Sequence, residues 1–179
     1  MTDNELIRLF LPIIQDGLLE GGYNNVDTKQ ANQPTQQGIN TQPTVYFFKV
    51  SDHRYGFLRR GDVWDSQANQ MVHTELQMYE TVFQVSALVA QNPKTPNKYT
   101  ASDLVNEVAA IMQSDKTREK LWLRGVGILR VIEITNPYFS DDRDQFEASP
   151  SFTFTLTYPR ARVSANPVIQ SFEYDIKRV

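Results

Sequence analysis

The 179-residue chain contains no cysteine, which excludes disulfide bonds, thiolate catalysis and metal sites built on sulfur. Histidine is scarce as well, because His53 and His73 are the only two and neither lies three or four residues from another histidine. Zinc sites on a helix need that spacing, so the sequence predicts no such metal site and no bound cofactor. We interpret His53 as a turn residue and His73 as the beginning of a strand.

Long apolar runs are also missing. The longest, residues 9–14, is far too short to span a bilayer, and the N-terminus lacks the basic residues that begin a secretory signal. We therefore expect no membrane partner and synthesis in the cytoplasm.

Blocks of positive charge are absent too. The formal net charge is −3, acidic and basic residues are spread along the chain, and only isolated doublets such as Arg59-Arg60 occur. Nucleic-acid binders usually concentrate lysine and arginine on one surface. The sequence therefore does not predict sequence-specific binding of nucleic acid.

Catalytic motifs are lacking, apart from one acidic cluster. There is no Gly-x-Ser-x-Gly elbow and no phosphate-binding glycine loop. Asp141, Asp142 and Asp144 could hold a hard cation, but a calcium loop would also need a central glycine and a final glutamate, and Arg143 offsets part of the charge. A solvated loop or ion pairs between subunits are favoured over a metal-dependent hydrolase, and we predict that the protein is not an enzyme.

The helix and strand patterns of the sequence predict one domain, residues 1–179, of the α+β class. A capping box at Thr2 and Glu5 begins a helix in which Pro12 is expected to cause a kink or an early end. Thr100 begins a second helix, and a short third helix follows from about residue 116. The strands are expected at 44–50, 54–61, 70–89, 126–135, 150–158 and 168–176, in a mainly antiparallel sheet flanked by two longer helices and one short helix.

Two features of the strands carry specific expectations. Residues 51–53 read as the turn of a hairpin, and residues 65–69 as a second turn. In the strand 70–89 the apolar positions change parity, which predicts a bulge near Glu80 or a strand that leaves the sheet for another surface.

Residues 23–43 form a long loop rich in Gln and Asn. Within it, residues 28–44 are nearly free of apolar and charged side chains, so the stretch cannot offset its ordering entropy and should be mobile in the isolated chain. A tolerated surface insertion and an arm that orders on a neighbouring subunit both remain open.

The order of elements, together with residues 121–128, 136–138, 144–147 and 152–158, resembles the neck and tail-terminator proteins of tailed bacteriophages. The resemblance implies a virion structural protein that forms a ring, commonly a hexamer, at the head-proximal end of the tail. Such a ring ends tube polymerisation and joins the tail to the head connector or neck protein. The implied partners are further copies of the chain, the tail tube protein and in some tails the sheath, with DNA passing through the lumen. A head-completion, tail-tube or baseplate subunit is the alternative.

The resemblance supplies no residue-level site, so contact regions are predicted from exposed loops. These are the long loop, a hairpin tip and the loop after the Gly-bracketed strand: Gln33, Gln36, Gln37, Asn40; Asp52, His53, Arg54; Phe139, Asp141, Asp142 and Asp144.

Overall fold

The computed structural model describes residues 1–31, 42–89, 99–140 and 146–166, with the backbone alone at 138–140, 146–148 and 166. The elements are α1 Asp3–Glu20, β1 Asp27–Gln30, β2 Thr44–Asp65, β3 Gln70–Leu88, α2 Ala101–Gln113, α3 Asp115–Trp122, β4 Gly127–Ile128, β5 Ile134–Thr135, β6 Tyr138–Ser140, β7 Phe146–Ala148 and β8 Ser151–Asn166.

One mixed sheet organises the fold. Its strand order is β1-β2-β3-β8-β4, with β5 also paired to β8, and every pairing except the parallel β1–β2 pair is antiparallel. β6 and β7 form a separate two-stranded sheet. This architecture confirms the predicted α+β class with a mainly antiparallel sheet.

The helices cover one face of the sheet through a shared apolar core. Phe10 of α1 lies at its centre and packs edge-on against three rings, at centroid distances of 5.1 Å to Phe47, 5.0 Å to Phe83 and 5.5 Å to Phe154. α2 contributes the apolar stripe that its sequence spacing predicts. The buried residues form one cluster.

Both predicted helix caps are confirmed. Thr2 with Glu5 and Thr100 with Asp103 form reciprocal capping boxes. An early end of α1 at Pro12 is wrong, because the helix continues to Glu20. Proline removes one backbone hydrogen bond, and the buried apolar residues on both sides of Pro12 hold the helix together across that gap.

Gly17 marks the close approach of α1 to α2. A Cβ at this position would lie 2.7–2.8 Å from three side-chain carbons of Ile111. We expect Gly17→Ala to destabilise the protein, because overpacking costs about 1–3 kcal/mol and exceeds the roughly 1 kcal/mol that alanine gains over glycine in a helix.

The effect of Gly17→Ala on the free energy of unfolding should reverse sign when the Ile111 side chain is shortened. In an Ile111→Ala background, Gly17→Ala should raise the unfolding free energy, since the helix gain remains and the clash is gone. Denaturant unfolding of the four proteins tests this cycle. A destabilisation by Gly17→Ala that persists in the Ile111→Ala background would contradict the packing explanation.

Several strand predictions are corrected by the structure. The predicted turn at 51–53 is wrong, since β2 runs from Thr44 to Asp65 and returns only at the turn 66–69, which was predicted. The bulge expected near Glu80 is wrong as well. β3 pairs with β8 in one unbroken register, and the irregularities lie in β2, between Lys49 and Ser51 and between Tyr55 and Arg59.

Two further expectations meet the structure only in part, and a third is not tested. The strand predicted at 126–135 is two short strands, 127–128 and 134–135, with irregular chain between them. Part of the loop 23–43 is strand β1, which pairs with β2. The strand predicted at 168–176 lies outside the described residues.

Candidate interaction surface: a projecting β arm

Three strands continue together beyond the helices. We call residues 51–65 of β2, 70–80 of β3 and 159–166 of β8 the β arm, with the turn 66–69 at its tip and Thr81 and Tyr158 at its root. At roughly 3.3 Å per residue, the eleven arm residues of β3 reach about 35 Å. None of the buried residues of the core cluster belongs to the arm, although Tyr79 at the root of the arm packs against that cluster. Within the described residues, the outer edges of β2 and β8 along the arm have no pairing strand.

A polar network fixes the root of the arm to the body. Lys49 forms an ion pair with Asp3 at the start of α1, at 2.9 Å, and another with Asp52 of the arm. Thr81, which is fully buried, donates its hydroxyl to Asp52 at 2.7 Å and lies 3.1 Å from the Tyr158 hydroxyl. These contacts tie a helix, the central strand and both outer strands together at one point.

The charges at the root are stabilised by one another. Burial alone would raise the pKa of the Asp52 carboxyl, but hydrogen bonds from Lys49 and Thr81 outweigh it and lower that pKa. Burial likewise opposes the charge on Lys49, and its two carboxylate partners raise its pKa nevertheless. Both groups are therefore charged near neutral pH, and the network is an ion pair and not a neutral contact.

The face of the arm on the helix side carries mostly polar and charged side chains, with Tyr79 at the root and Trp64 and Met71 near the tip. Register places Tyr79 on this face, and the guanidinium groups of Arg54 and Arg160 lie 5.4 and 5.9 Å from its ring centroid. Towards the tip, Glu75 forms an ion pair with Arg60, with 3.5 Å between Oε1 and Nε. These cross-strand pairs, together with the stacking of Tyr79 on Tyr158 at a centroid distance of 6.0 Å, help to hold the three strands in register.

The opposite face of the arm is apolar and open. The registers place six apolar side chains on this face, beside Arg59 and Glu80, and no helix of the described residues covers them: Tyr55, Val63, Val72, Leu76, Met78 and Val163. Beside them, the irregular stretch of β2 leaves Phe57 97% exposed. A half-apolar sheet face without a covering layer is an interaction surface in the usual case.

A second open apolar surface lies at the other half of β8. Residues 122–132, which we call the edge segment, end α3 and form the edge strand β4 against residues 156–157. Trp122 is 75% exposed and Ile132 is 91% exposed, with Leu123 and Leu129 also open to solvent. The sequence predicted a strand over residues 126–135 and did not identify the exposed apolar side chains of this stretch.

His73 makes the helix-side face of the arm sensitive to pH. Its pKa is raised, mainly because its Nδ1 lies 2.6 Å from Asp62 Oδ1, with partial desolvation opposing and Glu75 adding to the rise. The folded arm thus binds a proton more tightly than the unfolded chain does. The stabilisation is fully present below the ordinary histidine pKa of about 6.5 and is lost as the pH rises through the raised value.

Asp62→Asn should therefore lower the pKa of the His73 imidazole towards its ordinary value. Titration of the ring followed by NMR measures this directly. Asp65→Asn is the matched control. Asp65 also lies at the tip of the arm, but its carboxylate accepts hydrogen bonds from the backbone of Gln67 and Ala68, so the change should leave the titration of His73 unchanged. An unchanged pKa in Asp62→Asn would contradict the assignment.

The predicted contact residues fall in three places. Asp52, His53 and Arg54 lie inside β2 at the root of the arm and not at a hairpin tip, because the backbone pairs with β3 on both sides of them. Phe139 lies in β6. Gln33, Gln36, Gln37, Asn40, Asp141, Asp142 and Asp144 lie outside the described residues.

Other kinds of site receive no support from the described part of the chain. Residues 1–31, 42–89, 99–140 and 146–166 contain no group of three acidic or histidine side chains placed to hold a metal ion. No helix in the same ranges is long and apolar enough to cross a membrane. An open groove of about 400 Å³ between the three helices is lined by Lys116, which is paired with Glu20, and by Lys120, 4.0 Å from Asp16.

A small α+β body that carries an amphipathic arm with open edges defines a subunit built to bind other protein chains. The chain belongs to the family described as E217 gateway protein gp29, which it matches over residues 5–168. This is a bacteriophage structural family of the head–tail junction, so the predicted class of phage structural protein is confirmed. No curated protein matches the chain.

Proposed function

We propose that the protein forms a ring at the head-proximal end of a phage tail, where the ring ends tube polymerisation and joins the tail to the head connector. Membership of the gateway family over residues 5–168 is the observation that carries this proposal. The β arm supports it, because a subunit that binds neighbours on several sides needs surface beyond its own core.

The ring follows from the kind of contact. When one surface of a subunit binds a different surface of the next copy, the contacts repeat and close if the rotation between copies allows it. Six copies is the number that the resemblance to tail terminators implies. The tail tube protein would bind one side of the ring and the connector or neck protein the other, with DNA in the lumen and, in a contractile tail, the sheath outside.

The regions that contact other subunits are also proposed. Asp52, His53 and Arg54 lie on exposed positions of β2 where the arm leaves the body, and a neighbour that packs on the arm would reach them. Residues 33–40 and 139–144 are proposed to contact the adjoining rings. The protein is accordingly proposed to be a virion component of the neck, assembled in the host cytoplasm.

Deletion of the gene from the producing phage tests the function. We expect full heads without tails and tails of irregular length by electron microscopy, and a plasmid copy should restore joined particles of normal length. Tails of normal length that lack heads would instead indicate a head-completion protein. The absence of any tube would indicate a tube or baseplate subunit. Normal particles without the protein would contradict every structural role.

A further inference from the structure

The outer edge of β8 carries backbone groups that can bind another strand along the arm. The Leu129 N–H donates to the Thr155 carbonyl at 2.9 Å, and β8 keeps one register with β3, so its odd-numbered residues turn their backbone groups outward. In the arm these outward groups have no partner strand among the described residues, and they belong to Ala161, Val163 and Ala165. An open edge of this kind is a template for a further strand.

The two faces of this edge differ in chemistry. On the apolar face, the small residues Pro159 and Ala161 lie beside the larger side chains of β3. On the helix-side face, Arg160 and Arg162 are exposed and form the outermost charged row. Neither guanidinium belongs to any ion pair formed among the described residues. A strand that fits this edge therefore has large apolar side chains on one face and acidic ones on the other.

The sequence that follows β8 has this pattern. β8 ends at Asn166, opposite Met71 at the tip of the arm, and the pair Asn166-Pro167 is a turn signal. Between residues 168 and 176, most even positions are apolar, Ile169 is the one apolar residue at an odd position, and both acidic residues are at odd positions. The even apolar residues are Val168, Phe172, Tyr174 and Ile176, and the acidic residues are Glu173 and Asp175.

The register of a returning strand is restricted by this alternation. A hairpin loop of two or four residues pairs Phe172 with Ala161 and Glu173 with Arg160. The Phe172 ring then fills the space beside a small residue, and the Glu173 carboxylate faces a guanidinium. A loop of odd length would reverse the faces and place the aromatic rings among the arginines. Residues 168–174 also match the length of the free edge, because β4 pairs with β8 at residues 156–157.

We infer that residues 168–174 form a fourth strand of the β arm, antiparallel to β8 of the same chain and bound at its open edge. The apolar face of the arm then gains Phe172 and Tyr174, and the helix-side face gains Glu173 beside its arginines. The edge of the arm that remains for a strand from another chain is that of β2. This inference goes beyond the proposed function and does not depend on it, since it concerns a single subunit.

The absence of native cysteine allows a test by disulfide trapping in the full-length protein. Arg162→Cys with Ser171→Cys places two thiols directly opposite in a non-hydrogen-bonded pair, where Cα atoms lie about 4.5 Å apart, within the range of a disulfide. Arg162→Cys with Gln170→Cys is the matched control, because a shift of one position turns the second side chain to the other face of the sheet.

Mild oxidation followed by non-reducing electrophoresis and peptide mapping gives the result. The 162/171 pair should form a disulfide within one chain, and the 162/170 pair should form it at least about tenfold more slowly, because its Cβ atoms point apart. Equal rates for the two pairs would mean that the segment has no fixed register on β8. Disulfides that join two chains would mean that the edge binds the segment of another copy. Either result, or no disulfide in the 162/171 protein, overturns the inference.

Amide hydrogen exchange followed by NMR provides an independent test. The outward N–H groups of Ala161 and Val163 should exchange at least about tenfold more slowly in the wild-type protein than in a Phe172→Pro variant, because proline interrupts the ladder. The N–H of Arg162 points to β3 and should be protected in both proteins. Fast exchange of the outward groups in wild type, or protection that survives Phe172→Pro, contradicts the fourth strand. None of these results alters the phenotype of the gene deletion, so the proposed function is judged separately.

Discussion

Replacement of Phe10 with alanine is expected to lower the free energy of unfolding by about 3–5 kcal/mol, the usual cost of removing a buried phenylalanine. Phe10 is fully buried and is the one ring of α1 that contacts aromatic rings from three strands of the sheet. Alanine would remove the transfer energy of the ring and leave a cavity that three strands held by backbone hydrogen bonds cannot close.

Urea or guanidinium unfolding followed by circular dichroism measures this change. Leu19→Ala on the same helix is the matched control, because Leu19 is 58% exposed and should cost less than about 1 kcal/mol. A loss below about 1.5 kcal/mol in Phe10→Ala would contradict the packing of α1 on the sheet.

Thr81→Val is expected to cost about 1–3 kcal/mol although the two side chains have nearly the same shape. The hydroxyl of the fully buried Thr81 donates to Asp52 and contacts the hydroxyl of Tyr158, a residue that is itself 3% exposed. Valine would leave the Tyr158 hydroxyl without that partner and would weaken the hydrogen bonding of a charged carboxylate.

Thr153→Val is the matched control for this prediction. Thr153 lies on the neighbouring strand β8 with its side chain exposed on the opposite face of the sheet, so the same change should be nearly neutral there. Chemical denaturation of both variants gives the comparison. Equal effects at the two positions would mean that the network at the root of the arm contributes nothing to stability.

The helices could be predicted from the sequence because their signals are local. Thr2 with Glu5, and Thr100 with Asp103, lie three residues apart and form their hydrogen bonds within one turn. The apolar residues of α2 likewise repeat at helical spacing, and most of them are buried. No contact from elsewhere in the chain is needed to recognise either feature.

The β arm could not be predicted because its pairing joins distant parts of the chain. Residues 51–53 have turn-forming side chains, yet pairing with residues 80–82 keeps the backbone extended, and the Asp52 carboxylate is satisfied by Lys49 and Thr81. A local turn signal of about 1 kcal/mol is easily outweighed by a ladder of backbone hydrogen bonds.

The change of apolar parity in β3 is a real signal, and of the two explanations that the sequence offered the bulge is wrong. Phe83 and Val85 point to the helices, whereas Leu76 and Met78 point to the other face, with no bulge in the strand between them. The strand stays regular along its length. Its apolar side chains change from the helix-side face to the opposite face because the helices end at the root of the arm. A parity change in a long strand can thus mark the place where it leaves the core.

Location of the protein within the phage particle tests the central claim most directly. Tagged protein incorporated into complementing phage and labelled with gold should be found at the head–tail junction of every particle and nowhere else. Label along the tube, at the distal end of the tail or on no particle would contradict the assignment of this chain to a ring that joins tail to head.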